Sequence, residues 1–213
     1  MPPVDAGEPA PRRWGDDRAL LDDDEARRRL LDATGRCIIR RGSAQIRMTE
    51  VADEAGVARS TVYRYFRTRD DLVLGLLLSR VDAALETVVR SLRDPDDAAK
   101  CLPDLILKPI GLVEGSPLNE ALFSERSSAF ITFLELSSEQ LLDASLRHLG
   151  PLLDRWRLTG QLHADLDVRE TVRWMNAVAL ILLSPPWRTR PRAAKRLFLT
   201  HYLVRALVPP GAT

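Results

Sequence analysis

Apolar residues recur every three to four positions along most of this 213-residue chain, with polar residues between them. This spacing is that of amphipathic α-helices, and no segment alternates apolar and polar residues as a half-buried strand would. The pattern therefore predicts an all-α fold of about nine helices. The predicted helices span residues 23–41, 48–55, 59–66, 69–92, 98–107, 119–124, 127–149, 168–183 and 191–207.

Capping residues and prolines set several of the predicted helix ends. Capping boxes precede the fourth and the eighth helix, at Thr68-Arg69-Asp70-Asp71 and Asp167-Val168-Arg169-Glu170. Because proline lacks a backbone N–H, Pro103 and Pro109 are expected to interrupt the fifth helix. Pro151 is expected to kink the seventh helix before it continues to about residue 158.

Residues 51–66 combine a short helix, a glycine turn and a second helix. Val51 and Ala52 lie on an apolar stripe of the first helix. Gly56 can adopt the left-handed conformation that ends a helix tightly. Val62 and Phe66 lie four positions apart on the inner face of the second helix. This order is typical of a helix-turn-helix that lays its second helix in the DNA major groove.

The outer face of that second helix carries hydrogen-bonding side chains. Arginine can bind guanine O6 and N7 with two hydrogen bonds or hold a phosphate, and hydroxyl groups bind phosphates. No acidic residue occurs between Arg59 and Arg69. A solvated amphipathic helix without a ligand is the alternative, and the absence of acids favours DNA binding. On the outer face of this helix lie Arg59, Ser60, Thr61, Tyr63, Arg64 and Tyr65.

The chain resembles the tetracycline-repressor (TetR) family of transcription regulators between about residues 26 and 78. The residues that carry the resemblance are 48–52, 55–57, 61–66 and 69–72. The resemblance implies an all-helical homodimer with an N-terminal DNA-binding domain of three helices. It also implies a larger C-terminal domain that binds a small molecule and dimerises. We therefore expect a disordered tail over 1–21, the DNA-binding domain over 22–69 and the effector-binding and dimerisation domain over 70–213.

Two positions depart from the family pattern. Arg47 and Ala58 occupy slots that often hold a capping Ser or Thr, a loss of typically about 1 kcal/mol each. Arg47 is expected to bind a phosphate instead. The residues expected to contact DNA are Arg47, Thr49, Arg59, Ser60, Thr61, Tyr63, Arg64, Tyr65 and Arg69.

Charge and composition fit this interpretation. The net charge of the whole chain is +1, but residues 25–70 hold 11 basic and 6 acidic residues. Positive charge thus collects in the segment that would face phosphates. Cys37 and Cys101 fit a reducing cytoplasm, as buried core thiols or, alternatively, as a redox switch. The three histidines lack metal-ligand spacing, no cofactor motif occurs, and no segment reads as a signal sequence or a membrane span.

Helices 5 to 8 enclose the ligand pocket in proteins of the resembled type. An aromatic-rich lining would suit an apolar or aromatic small molecule, while core packing is the alternative for each residue. Glu135 and Asn176 are polar groups within apolar runs that would either orient a ligand or face solvent. The candidate ligand-binding residues are Ile106, Ile110, Phe123, Phe130, Phe133, Leu134, Trp156, Trp174 and Met175, with Leu105 beside them.

The last two long helices are the predicted dimer surface. Residues 178–183 are apolar nearly all round the helix. One face can pack into the monomer core, and a second apolar face must then be buried by another surface. These residues would otherwise close the core of the monomer. A twofold dimer suits a palindromic or pseudo-palindromic operator. The candidate interface residues are Val178, Ile181, Leu182, Leu197, Phe198, His201, Tyr202 and Arg205.

The resemblance implies a repressor that a small, mainly apolar effector releases from its operator by tilting the fourth helix. A regulator that activates, or that lacks a small-molecule effector, is the alternative within this class. An enzyme is disfavoured because the chain has no phosphate loop, HExxH motif or nucleophile elbow. An interaction protein that has lost DNA binding is disfavoured by Arg59, Thr61, Tyr63 and Arg69.

Overall fold

A computed structural model of the chain describes residues 23–114, 116–122, 138–184 and 186–211. All regular secondary structure in this part is helical, which confirms the predicted all-α fold. The helices are α1 (Asp23–Arg41), α2 (Met48–Ala55), α3 (Arg59–Tyr65), α4 (Arg69–Arg90), α5 (Ala98–Val113), α6 (Pro117–Leu122), α7 (Ser138–Leu158), α8 (Val168–Leu183) and α9 (Arg192–Phe198). A π-helical turn, Leu199–Val204, joins α9 to a last short helix, α10 (Arg205–Leu207).

The turns around α2 form as the sequence predicts. Arg47 precedes α2, and since an arginine side chain has no acceptor, it cannot cap the helix. Half of a capping box remains, because the Glu50 carboxylate accepts a hydrogen bond from the Arg47 backbone N–H at 2.9 Å. Gly56 ends α2 with a φ of 68°, in the left-handed region. Ala58 begins α3 without a side-chain cap.

The start of α4 is fixed by a complete capping box. The Thr68 hydroxyl accepts from the Asp71 N–H, and the Asp71 carboxylate accepts from the Thr68 N–H, each at 3.0 Å. At α8 the Asp167 carboxylate likewise accepts from the Glu170 N–H at 2.9 Å. The Glu170 carboxylate binds Arg173 at 3.3 Å and so lies on the helix surface.

Prolines do not break the helices in which they lie. α5 continues through Pro103 and Pro109 to Val113, so the predicted interruption near residue 107 is wrong. α7 likewise runs through Pro151 to Leu158. A proline inside a helix costs about 3 kcal/mol. Tertiary packing offsets this cost in α5, because that helix buries apolar side chains along most of its length, namely Leu102, Leu105, Ile106, Leu107 and Ile110.

The described residues form two apolar cores that share α4. The N-terminal core contains α1, α2, α3 and the first half of α4, with Leu72 and Leu76 inside it. It also takes in α6 and the start of α7. The C-terminal core contains α5, α7, α8 and the chain from residue 199 to 207, and α4 contributes Leu85 and Val88 to it. The boundary expected at residue 69 therefore falls at the start of a helix that belongs to both units.

Ion pairs hold α2 against α1. The Glu54 carboxylate accepts from Arg36 at 2.6 Å and from Arg40 at 2.7 Å. Glu50 pairs with Arg41 at 2.5 Å. Hydrogen bonds from Arg36 and Arg40 lower the pKa of Glu54 below its ordinary value. The acidic residues Glu50 and Glu54 are thus directed at α1.

Both cysteines are buried free thiols. Burial raises the pKa of Cys37 and of Cys101. Each thiol contacts a backbone carbonyl, that of Glu50 for Cys37 and that of Asp94 for Cys101. These are the surroundings of core thiols, because a raised pKa lowers the fraction of reactive thiolate.

We expect Glu54→Gln to lower the melting temperature at neutral pH, because it removes the charge that Arg36 and Arg40 stabilise. The folded pKa of Glu54 lies below its ordinary value of 4.5. Its contribution is therefore present above that ordinary value and is lost as the pH falls through the folded pKa. Thermal unfolding of the wild type and of Glu54→Gln, measured from neutral pH to below pH 4.5, should show that the difference in melting temperature disappears as the pH falls. Glu86→Gln, which breaks a pair within α4 only, is the control, and a pH-independent difference would contradict the prediction.

Candidate DNA-binding surface and effector cavity

α3 turns one face into the N-terminal core and the other towards solvent. Val62 is fully buried and Phe66 is 2% exposed. Arg59, Ser60 and Tyr63 are exposed, as are the neighbouring Arg64 and the α2 residue Thr49. Thr61 and Tyr65 are half-buried at the edges of this face. The residues predicted to contact DNA on α3 therefore form one accessible surface.

Two arginine–tyrosine pairs order this surface. The Arg59 guanidinium donates to the Tyr63 hydroxyl at 3.0 Å and lies 5.1 Å from the centre of its ring. Arg64 donates to the Tyr65 hydroxyl at 3.0 Å. That hydroxyl donates in turn to Asp23 of α1 at 2.9 Å. The Tyr65 hydroxyl is therefore occupied within the protein, whereas Arg59 and Tyr63 bind only each other among the described residues.

The first residues of α2 and α4 flank the same surface. Arg47 is exposed, and Arg69 is half-buried at the start of α4. Arg69 donates to the Gln45 side chain at 2.6 Å and to Asp70 at 2.7 Å. Gln45, in the loop before α2, was not among the predicted site residues. Its role depends on a contact between residues 24 positions apart, which the local pattern does not reveal.

The position of α3 depends on a close contact with α4. Phe66, directly after α3, packs against Gly75 so closely that a Cβ at residue 75 would lie 2.9 Å from the Phe66 ring. The same Cβ would lie 3.4 Å from Leu31 of α1. The Arg27 guanidinium covers the ring at 4.6 Å from its centre. Phe66 is therefore enclosed, and the absence of a side chain at Gly75 sets how near α3 lies to α4.

We expect Gly75→Ala to weaken DNA binding. The gain in helix propensity, about 1 kcal/mol, is opposed by an overpacking cost of about 1–3 kcal/mol at the enclosed ring. Displacement of Phe66 moves α3 with it. DNA affinity and the melting temperature of the variant would measure both effects.

Gly150→Ala is the matched control, because a Cβ there would meet no atom closer than 3.9 Å. That variant should keep its DNA affinity and gain stability. Equal behaviour of the two variants would refute the proposed dependence of α3 on Gly75.

A cavity of about 120 Å³ lies between α4, α5, α6, α7 and α8. Its walls are mainly apolar. Of the predicted ligand-binding residues it brings together Ile106, Ile110 and Met175, with Leu105 beside them. α4 contributes a stripe of one helix face, namely Leu77, Arg80, Val81, Ala84 and Leu85.

Four polar side chains line the cavity as well. They are Arg80 from α4, Asn119 from α6, Ser145 from α7 and Asn176 from α8. The Ser145 hydroxyl donates to the Asn176 carbonyl oxygen at 3.1 Å. Asn176 was considered from the sequence as a polar group that orients a ligand. The sequence did not single out Arg80, Asn119 or Ser145, because only the packing of four helices places them around one space.

The other predicted ligand-binding residues lie elsewhere. Trp156 is fully buried in the C-terminal core, where its indole N–H donates to the Pro95 carbonyl at 2.7 Å. Trp174 is 39% exposed on the outside of α8. Neither lines this cavity. The rest of the set, with Glu135, lies outside the described residues: Phe123, Phe130, Phe133 and Leu134.

The predicted dimer residues divide into two groups. Val178 and Leu182 are buried within the chain itself. The exposed group contains Ile181 on α8, Leu197 on α9 and Tyr202 in the π-helical turn, each about half exposed or more. His201 and Arg205 are exposed beside them. Phe198 is half-buried and stacks between Trp187 and Tyr202, with ring centres 4.6 and 5.0 Å away.

The described residues hold no cluster of histidine, cysteine, aspartate and glutamate suited to a metal ion. Within the same ranges, none of the helices has both the length and the apolar character of a membrane span.

The geometry of α2, its glycine turn and α3 defines a helix-turn-helix protein. Residues 30–76 match the family described as "Bacterial regulatory proteins, tetR family". The fatty acid metabolism regulator protein of Bacillus subtilis (strain 168) is 26% identical over 149 residues, which are 66% of this chain and 72% of that protein.

Solved structures share the fold. The transcriptional repressor QsdR of R. erythropolis has a TM-score of 0.63 at 20% identity, over 87% of this chain and 97% of its own. FadR from Bacillus subtilis, solved in complex with stearoyl-CoA, has a TM-score of 0.54 at 19% identity, over 84% and 98%.

The chain belongs to the tetR family of bacterial transcriptional regulators. It is a DNA-binding regulator and not an enzyme, in keeping with relatives that are named as HTH-type transcriptional regulators.

Proposed function

We propose that this protein is a homodimeric repressor that a small, mainly apolar effector releases from its operator. The observation that carries the proposal is the double role of α4. Its first half lies in the core that positions α3, and its middle forms one wall of the cavity. A molecule that enters the cavity therefore acts on the helix that holds the DNA-binding surface.

Arg59, Ser60, Tyr63 and Arg64 would contact the major groove and its edges, because they are the exposed residues of α3. Arg47, Thr49 and Arg69 would bind the phosphates beside it, together with Thr61. Tyr65 would act mainly by orienting Arg64. The carboxylates of Glu50 and Glu54 would not repel the DNA phosphates, because their charges are paired with arginines of α1.

A second connection between the cavity and the DNA-binding unit runs through α6. Asn119 lines the cavity, and the adjacent Leu118 is buried in the N-terminal core. A Cβ on Gly35 of α1 would lie 3.7 Å from the Leu118 side chain. A ligand that moves α6 would thus press on α1 as well as on α4.

Polar contacts fix α4 to α7 beside the cavity. Asp82 of α4 accepts from Arg147 at 2.5 Å and lies 2.9 Å from the His148 ring nitrogen. Movement of α7 is therefore passed to α4. Derepression by about 5- to 150-fold would need a coupling free energy of only about 1–3 kcal/mol.

Trp174, Ala177 and Ile181 form an exposed stripe on α8 at helical spacing. Leu197 and Tyr202 add exposed apolar surface in the chain that follows. Exposed apolar surface of this kind marks an interface. A second copy of this chain would cover it and would place two α3 helices for two half-sites about 34–36 Å apart.

The comparisons support an effector with an apolar body. One relative is named as a regulator of fatty acid metabolism, and a structure of the same fold holds stearoyl-CoA. The cavity of this chain has mainly apolar walls on α4, α5, α7 and α8. An acyl or aromatic compound fits this surface.

Arg59→Ala tests the DNA-binding surface. The purified protein should enrich a palindromic DNA site from genomic fragments, with affinity that falls steeply with salt. On that site we expect Arg59→Ala to lose about 1–3 kcal/mol of binding free energy, as for loss of a base-contacting arginine.

Arg90→Ala is the control, because Arg90 lies at the far end of α4 and pairs with Glu86. Equal affinity of the wild-type protein and Arg59→Ala would remove α3 from the DNA interface. Absence of any enriched sequence at two salt concentrations would contradict direct operator binding.

Ala84→Leu tests the effector cavity. Ala84 is buried and lines the cavity, so a larger side chain there takes space from a ligand. We expect operator affinity to be retained, while the concentration of a releasing compound needed to free the DNA rises by about tenfold or more, because overpacking opposes entry.

The neighbouring Ala83 is exposed and does not line the cavity, so Ala83→Leu should behave as the wild type. The readout is fluorescence anisotropy of labelled operator titrated with compounds that release the wild-type protein. An unchanged response of Ala84→Leu would show that the effector binds elsewhere.

A further inference from the structure

We propose that the effector carries an anionic head group that binds Arg80, while its apolar body lies in the cavity. This inference rests on the proposed function, since it specifies the ligand of the same cavity. Among the described residues that line the cavity, Arg80 is the only charged one, and none of them is acidic.

Arg80 also has no partner among the residues that the structure describes. In the described ranges it makes no hydrogen bond and no ion pair, whereas the arginines around it are paired. On the same helix Arg69 binds Asp70 and Arg90 binds Glu86. The acid nearest in sequence, Asp82, is taken by Arg147 and His148 of α7. Arg80 is exposed, so its guanidinium lies at the solvent-open edge of the cavity, where it is free to pair with a ligand.

The helix register brings further polar groups to the level of Arg80. At one level Leu77 of α4 and Leu141 of α7 share the N-terminal core and both line the cavity. At the next level along both helices, Asp82 of α4 contacts Arg147 of α7. α4 and α7 thus run side by side in one direction. Arg80 and Ser145 lie between these two levels, and Ser145 holds the carbonyl oxygen of Asn176.

This arrangement favours an anion over a neutral or cationic ligand. The Arg80 guanidinium presents planar donors that match a carboxylate or phosphate. With its carbonyl oxygen bound by Ser145, Asn176 has its amide N–H groups left as donors. A cationic ligand would meet a like charge and no acid in this part of the wall.

The space suits a compact apolar body. The cavity of about 120 Å³ is of the order of the ~150 Å³ engineered cavity that admits benzene. A ring or a short alkyl chain of an acid therefore fits within the described walls. The anionic head can belong to the free acid or to a phosphorylated conjugate such as an acyl-CoA, and the experiment must separate these two sources.

Isothermal titration of the full-length protein provides the test, with hexanoate and octanoate as probes. Hexanol and octanol are the uncharged matches, and octanoyl-CoA represents the conjugate. We expect the wild-type protein to bind the preferred anionic probe about 10- to 100-fold more tightly than the matched alcohol, as for one charge-assisted pair. Arg80→Gln should remove that preference and leave alcohol binding unchanged.

Arg90→Gln is the matched control and should bind as the wild type does, because Arg90 does not line the cavity. Arg80→Lys keeps the charge and should restore part of the preference. An Arg80-dependent preference for octanoyl-CoA alone would support the proposal with the conjugate as the source.

Equal binding of acids and alcohols, unchanged in Arg80→Gln, would overturn the anionic head group and leave the effector cavity standing. Failure of every probe to bind the wild-type protein would overturn the proposal for acyl ligands of both sources. The proposed function would fail separately, if the purified protein enriched no DNA sequence at two salt concentrations.

Discussion

The continuity of α4 is the constraint on which the rest of this structure depends. The helix has 22 residues, so it is about 33 Å long, and hydrogen bonds along its length resist bending. Thr68 and Asp71 fix its first turn, directly after α3, the helix that we propose contacts DNA. Leu72 and Leu76 lie in one core and Leu85 and Val88 in the other. Because close-packed cores deform little, a change on one side is expressed as a movement of the whole helix.

The helix-turn-helix was predictable because its determinants are local. Gly56 needs the left-handed conformation at one position, Val62 and Phe66 are related by helical spacing, and Thr68 to Asp71 form a four-residue cap. Each feature lies within a few residues of the element that it defines. The end of α1 and both bounds of α2 follow from such features and agree with the prediction.

The cavity and the course of α5 were less predictable because they depend on distant residues. Pro103 and Pro109 favour a break by local rules, and burial of the apolar face of α5 against α4, α8 and the C-terminal chain overrides them. Trp156 was a reasonable ligand candidate by composition, yet a backbone acceptor at Pro95 lets its indole lie in the core. Arg80 looks like any surface arginine in the sequence. Only the packing of the helices, which brings it to the wall of the cavity, distinguishes it.

The distribution of charge fits the proposed combination of DNA binding and effector-driven release. Glu50 and Glu54 of α2 are bound to α1, and Asp82 of α4 is bound to α7, so each of these acids is held across a helix pair. These pairs fix helices relative to one another while the α3 arginines remain available to DNA. A ligand shifts α4 from the position that binds DNA to the position that does not only if it binds the second position more tightly. High affinity for both positions alike would shift nothing. In the proposed mechanism the α4 wall would supply that difference, because a movement of α4 would change the shape of the cavity and the position of Arg80 in it.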